Sequence, residues 1–203
     1  IQVPYTMEYL VRDNGTVIVT GSIDLTGTKL PELPRFGMRM ELHQPYENLT
    51  YYGRGPFENY IDRYSGAFIG RYEDKVENQF YWYIRPQETG NKTDVRWLTL
   101  LDSGGLGVKI TGLQPISFSA LHFSPEDLDP GLTRKLQHTI DIVPQKNIFL
   151  HVDLKQRGLG GDNSWGMYPH NEYRLLDKKY TYSYMIELVE KGSDKNDYLN
   201  SRK

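Results

Sequence analysis

The sequence predicts an all-β protein, an antiparallel sandwich, and three observations lead to this prediction. Of its 203 residues 13% are aromatic, and most of these fall in short runs of period two, the spacing of a strand with one buried face. Clusters of Gly, Pro, Asn and Asp separate the runs. The sequence shows no long helical pattern, and many short strands without alternating helices favour an antiparallel sandwich over a βαβ fold.

The strands are predicted in order along the chain. Residues 7–12 and 16–25 flank Asp13-Asn14-Gly15, whose residues tolerate positive φ, so this pair predicts a hairpin. Residues 36–43 and 180–189 alternate between apolar and more polar side chains, and each indicates a strand. Further strands are predicted at residues 49–53, 67–72, 79–84, 95–102, 106–111, 116–120, 136–143 and 148–154.

One short helical turn is predicted at Ser124-Pro125-Glu126-Asp127. This segment has a capping serine, a proline at the first helical position and an acid three residues after the cap. We expect residues 1–190 to form one sandwich domain and the polar residues 191–203 to be a disordered tail. The first residue is Ile1 rather than Met, so we expect a piece cut from a longer protein.

Composition excludes several function classes. The 24 basic and 26 acidic residues are interspersed and give a net charge of −2, which argues against nucleic acid or an anionic membrane as partner. The chain has no cysteine, so a disulfide framework, a cysteine nucleophile and a zinc ribbon are excluded. No apolar run approaches the roughly 18 residues that span a bilayer, so we expect a soluble protein, cytoplasmic or periplasmic.

Residues with catalytic or metal-binding chemistry do not form a recognisable motif. The histidines lack metal-ligand spacing, so no metal site is predicted; they are His43, His122, His138, His151 and His170. Carboxylates do cluster, Glu58 with Asp62 and Glu88 with Asp94, and a glycosidase needs such a pair at a defined separation. The alternative is that these acids balance neighbouring arginines.

Two polar, glycine-bearing loops, residues 85–97 and 156–166, carry the strongest functional signal. Each contains a tryptophan among carboxylates, amides and arginines, a mixture that suits a sugar with its apolar C–H face and its rim of hydroxyls. Trp165 lies among glycines, and we expect it to be exposed beside a binding cleft. Trp82 and Trp97 fall in strand patterns and are predicted to be in the core.

Five segments resemble the C-terminal domain, or small chain, of the large β-galactosidases of glycoside hydrolase family 2, and they follow each other in the family's order. The segments are residues 33–37, 52–63, 85–97, 118–129 and 158–166, and the resemblance runs from about residue 9 to residue 190. It implies a twisted two-sheet supersandwich of the galactose-mutarotase-like type, packed against a catalytic barrel. The family's two catalytic glutamates lie in that barrel, so no catalytic residue and no metal or cofactor site is expected in this chain.

For the whole protein, the resemblance implies retaining hydrolysis of terminal non-reducing β-D-galactosides such as lactose, by a homo-oligomeric enzyme. In the family, the tryptophan of the G-G-D-x-S-W segment reaches the active site and contacts the sugar, and by position this residue is Trp165. Asp162 and Ser164 keep the pattern, whereas Asn163 stands where the family often has an acid. The first polar loop adds two further candidate substrate-binding residues, Arg85 and Glu88.

Three other functions stay open. A stand-alone carbohydrate-binding module would hold a sugar between the two polar loops, and calorimetry with galactose and lactose would detect it. A mutarotase-like enzyme would need a histidine and a carboxylate facing one pocket, and neither polar loop contains a histidine. A purely structural sandwich would buttress the barrel, with Trp165 buried inside.

Overall fold

The structure, a computed structural model, describes residues 3–43, 45–129, 131 and 138–190. It confirms the all-β prediction: nine antiparallel strands form one hydrogen-bonded sheet that does not close into a barrel. The strands are β1 (Tyr5–Val11), β2 (Val17–Asp24), β3 (Arg35–Leu42), β4 (Asn48–Gly55), β5 (Phe68–Lys75), β6 (Lys92–Leu101), β7 (Gly107–Leu121), β8 (Ile148–Gln156) and β9 (Lys179–Val189). The predicted tail at 191–203 lies outside the described residues.

Strand β7 is the branch point of this single sheet. Its first part pairs with β9 and continues the order β1-β2-β9-β7-β6-β4-β5, while its last part pairs with β8, which also pairs with β3. The two arms contact each other, because the Tyr182 hydroxyl donates to the Val152 carbonyl at 3.0 Å and the Phe36 and Tyr182 rings lie 5.6 Å apart. The main core fills the space around β7; its fully buried members include Val19, Leu49, Leu98, Ile110, Phe118 and Leu150.

The predicted hairpin and the predicted helical turn are both present. β1 and β2 pair from Tyr5 with Ile23 to Val11 with Val17, and Gly15 in the turn has a φ of 82°. The helix α1 (Pro125–Leu128) has the reciprocal cap that its sequence predicts: Ser124 Oγ accepts from the Asp127 N–H at 3.1 Å, and Asp127 Oδ2 accepts from the Ser124 N–H at 2.7 Å.

The strand predicted at residues 79–84 is wrong. This segment follows a 3₁₀ turn (Val76–Asn78) and forms no strand. Phe80 packs on Phe123 in a small satellite core, but Trp82, predicted to be buried, is 61% exposed. The segment is held by a side chain instead of a neighbouring strand, because the Tyr81 N–H donates to Thr89 Oγ1 at 3.0 Å.

Two other strand predictions need correction. Residues 107–111 and 116–120 belong to one strand, β7, which changes partner near Pro115, a residue without an N–H to donate; Leu106 lies just before the strand. Within the predicted strand at 136–143, the described residues contain a 3₁₀ turn at Thr139–Asp141; residues 136 and 137 lie outside the described residues. In the part of the chain that the structure describes, no helix is long and apolar enough to cross a membrane.

Candidate functional site

Trp165 lies in the loop that follows β8, and its side chain projects into solvent. The residue is 93% exposed, as expected of a tryptophan among glycines. The main-chain N–H of Trp165 donates to Asn163 Oδ1 at 2.8 Å, and the neighbouring Gly166 takes a φ of 95°, a conformation that favours glycine. The loop therefore forms a short turn that presents the indole, and the alternative in which Trp165 is buried is wrong.

The predicted neighbours of Trp165 shape this loop. Asp162 Oδ1 lies 2.8 Å from His170 Nε2, and the hydrogen bond and charge of Asp162 raise the pKa of the exposed His170. Asn163 accepts the Trp165 N–H, and Ser164 is exposed. The side chains of Asp162 and Asn163 thus form hydrogen bonds with other residues of the segment that contains Trp165.

The base of the Trp165 loop is anchored to the loop after β4. Asp62 Oδ2 accepts the Gly160 N–H at 2.7 Å, and a Cβ at Gly158 would lie 2.6 Å from the same oxygen. Glu32 provides a second anchor through ion pairs with Arg157, at 2.9 Å, and with Arg174. Burial opposes the negative charge of Glu32, but the two arginines outweigh it and lower the pKa.

The other predicted polar loop, residues 85–97, adjoins the Trp165 loop. Glu88 forms an ion pair with Arg35 at 2.8 Å, and the same guanidinium donates to Gln156, the last residue of β8, at 2.6 Å. Another bridge comes from Glu58, which accepts the Gly90 N–H at 2.7 Å from the loop that also contains Asp62. Arg85, by contrast, is exposed. The structure thus brings together the bases of both loops.

Arg35, Glu88 and His151 line a cavity of about 260 Å³. Asp153, two residues after His151 on β8, is 1% exposed, and its Oδ2 lies 3.1 Å from Arg35 Nε. Burial raises the pKa of Asp153 to about 7, against the opposing effect of Arg35. Burial, with the positive charge of Arg35, lowers the pKa of His151 to about 4. Arg35 also contacts His151 Nδ1, so one guanidinium organises this centre.

Sequence reasoning missed this cavity because its residues are far apart in the chain. Arg35 and His151 are separated by 116 positions and meet only through the pairing of β3 with β8. The mutarotase-like alternative needs a histidine and a carboxylate facing one pocket, and neither polar loop contains a histidine. A histidine and a carboxylate do line one cavity, but the histidine comes from a strand. Among the described residues, no three His, Asp or Glu side chains are grouped to hold a metal ion.

Comparison with known proteins identifies the family. The family model described as "Beta galactosidase small chain" matches residues 2–186. The β-galactosidase of Priestia megaterium is 36% identical over 180 residues, or 88% of this chain and 17% of the relative. Those of Streptococcus thermophilus and Lactobacillus delbrueckii subsp. bulgaricus are each 35% identical, over 92% and 86% of this chain and 17% and 16% of the relatives. The chain therefore spans about 17% of the length of the relatives that it matches first, and it belongs to the β-galactosidase small chain family.

Proposed function

We propose that this chain completes the sugar-binding site of a β-galactosidase and supports its catalytic barrel, while the two catalytic glutamates lie outside this chain. The whole enzyme would hydrolyse terminal non-reducing β-D-galactosides with retention, one carboxylate attacking the anomeric carbon and another protonating the leaving oxygen. Any metal ions would be held by the barrel, and the assembled enzyme would be a homo-oligomer. The observation that supports this proposal is the 93% exposure of Trp165.

An indole on a glycine-containing turn is suited to contact a sugar that another domain holds. A large apolar ring in water gains free energy when a partner covers it, and its face complements the C–H face of a pyranose. The loop base is fixed by Asp62 and Glu32, so little order has to be gained on binding. Trp165 would therefore stack on the leaving-group sugar, next to the scissile bond.

The carboxylates of this chain support a positioning role over a catalytic one. Glu58 accepts hydrogen bonds from Gly90 and Arg63, both at 2.7 Å, and its side chain is 9% exposed. Glu88 is paired with Arg35. The hydrogen bonds and ion pairs of both acids therefore connect loops of the chain. Asp162, Asn163 and Ser164 stay predicted sugar-binding residues on the Trp165 loop, and Arg85 and Glu88 stay predicted ones on the neighbouring loop.

The test is Trp165→Ala in the full-length enzyme. We expect the KM for lactose to rise about fivefold, because an aromatic contact of about 1 kcal/mol is lost. Hydrolysis of a nitrophenyl galactoside should change less, since its leaving group needs little help from a sugar subsite. Steady-state kinetics with both substrates measure the difference.

Two controls separate this effect from general damage. Trp165→Phe keeps an aromatic face and should recover most of the lactose affinity. Trp82→Ala deletes another exposed indole, one that contacts Phe80 edge-on, and should leave the ratio between the two substrates unchanged. Unchanged lactose kinetics in Trp165→Ala would contradict the proposal.

The alternative is a stand-alone, non-catalytic carbohydrate-binding module. It is favoured by one observation, the link between the bases of the two polar loops through Arg35. A module would bind lactose tighter than about 1 mM without any other domain, and Trp165→Ala would abolish that binding. Calorimetry on the 203-residue chain distinguishes it from a half-site, which would not bind lactose through Trp165.

A further inference from the structure

We propose that the cavity lined by Arg35, Glu88 and His151 is a separate binding site for a single neutral sugar ring. Trp165 is not among the residues that line it, so this site goes beyond the proposed function. The cavity measures about 260 Å³. Pockets for drug-sized ligands start at roughly 300 Å³, so a space of this size suits one ring better than a disaccharide.

The floor of the cavity is one face of the paired strands β7 and β8. Ser119 lies opposite His151 in the register, and Leu121 lies opposite Phe149, so the four side chains form a continuous patch. Strand pairing holds these residues in place without a ligand. A site on paired strands is more rigid than a site on a loop, and it binds with a smaller loss of conformational entropy.

The cavity walls differ in polarity. One part is apolar and consists of Leu121, Phe123, Leu128 and Phe149. The polar part includes Arg35, Glu88, Ser119 and His151, and Gln87, Thr89 and Asp129 also line the cavity. A pyranose has the same division between its C–H face and its hydroxyl edge, so the apolar part of the cavity can cover the C–H face while the polar part fixes the orientation of the ring.

The charges favour a neutral ligand over an anion. Among the lining residues that the structure describes, Arg35 is the one cation, and it is paired with Glu88 at 2.8 Å and with Asp153 at 3.1 Å. A phosphate or carboxylate would have to compete with two acids for one guanidinium. Hydroxyl groups do not meet this repulsion, because they can donate to Glu88 and accept from a neutral donor.

His151 can supply such a donor. A guanidinium only donates, so its contact with His151 Nδ1 requires this nitrogen to be unprotonated. The neutral imidazole then carries its proton on Nε2. The lining residues therefore include a donor in His151, an acceptor in Glu88 and a hydroxyl in Ser119, the combination that hydroxyl recognition needs.

The test is titration of the 203-residue chain with D-galactose, followed by calorimetry and by ligand-observed NMR. We expect a dissociation constant on the order of 1 mM for galactose, and weaker binding of inorganic phosphate. Glu88→Gln should weaken galactose binding about tenfold, because it removes a charged acceptor. Ser119→Val, which removes a hydroxyl and adds volume to the cavity floor, should weaken it about as much.

Two matched variants locate the sugar. Thr181→Val makes a similar change at an exposed position of β9, and Trp165→Ala removes the other candidate contact; both should keep the galactose affinity within about twofold. Thermal unfolding of each variant checks that it is folded.

The proposal is overturned if the folded chain does not bind galactose, if phosphate binds more tightly, or if Trp165→Ala abolishes binding while Ser119→Val keeps it. None of these results bears on the lactose kinetics of the full-length enzyme, so the two proposals fail separately.

Discussion

Arg35 contacts two titratable side chains of β8, the acid Asp153 and the histidine His151. Arg35 forms an ion pair with Asp153, which is almost fully buried. It also contacts His151, which lies two residues before Asp153 on β8. Burial disfavours the charged form of both groups, so it raises the pKa of the acid to about 7 and lowers that of the histidine to about 4. The two groups should therefore give opposite contributions to the pH dependence of stability.

The sign of each contribution follows from proton binding. Between about pH 6.5 and pH 4 unfolded His151 binds a proton that the folded chain does not bind, so the free energy of unfolding falls as the pH falls. Between about pH 3.8 and pH 7 folded Asp153 keeps a proton that the unfolded chain releases, so the free energy of unfolding falls as the pH rises. When the pH falls from 7 to 4.5, the free energy of unfolding of His151→Gln should rise relative to that of the wild type and that of Asp153→Asn should fall, each by about 2–3 kcal/mol. Urea unfolding at both pH values measures this, and a change of the same sign in both variants would contradict it.

Single residues were predictable where local sequence determines their surroundings. Trp165 could be placed in solvent because glycines surround it and no strand pattern includes it. Trp82 could not, because its aromatic-rich segment has strand periodicity but finds no neighbouring strand. Arg35, His151 and Asp153 have no local signal at all, since only the register of β3 with β8 brings them together.

At the scale of elements, the packing of β3 on β8 depends on Gly37. The register between these strands shifts at Phe36 and Gly37, and a Cβ at Gly37 would lie 2.6 Å from the Asp153 Cα, a main-chain atom that cannot turn away. We expect Gly37→Ala to push the strands apart and lower the free energy of unfolding by about 1–3 kcal/mol. Thermal or urea unfolding measures the loss. Gly66→Ala is the matched control, since its Cβ would meet only the Phe57 ring, at 3.6 Å, and equal stability of the two variants would argue against this account.

Strand boundaries were harder to predict than strands. Alternation located β3 and β9 to within one residue at each end, and the Asp13-Asn14-Gly15 turn located β1 and β2 to within two. Pro115, by contrast, was read as an interruption. In the structure β7 continues past Pro115. The missing N–H of the proline is tolerated there because the strand changes from one partner, β9, to another, β8. Which strands pair is a property of the whole fold, so the branch at β7 has no counterpart in the local pattern.

At the scale of the whole molecule, the predicted sugar residues lie in two places, the exposed Trp165 loop and the cavity lined by Arg35, Glu88 and His151. Trp165, Asp162, Asn163 and Ser164 lie on the loop after β8, whereas Glu88 faces Arg35 in the cavity. Arg35 connects the two, because it binds both Glu88 and Gln156 at the start of the loop. A sugar in the cavity and a sugar at Trp165 would thus share a rigid base.

This division leads to a prediction for the chain by itself. Glycoside hydrolysis needs two carboxyl groups facing one sugar at about 5–5.5 Å or 6.5–9.5 Å, one of them free to attack or to activate water. Glu58 is bound by Arg63 and Gly90, and Glu88 by Arg35, so neither is free for that task. We expect the 203-residue chain to release nitrophenol from a nitrophenyl β-galactoside no faster than buffer does, even at high protein concentration. Absorbance assays on the chain and on Glu58→Gln and Glu88→Gln measure this. Turnover that either substitution abolishes would make the chain itself the catalyst, and a signal unchanged by both would come from a contaminating enzyme.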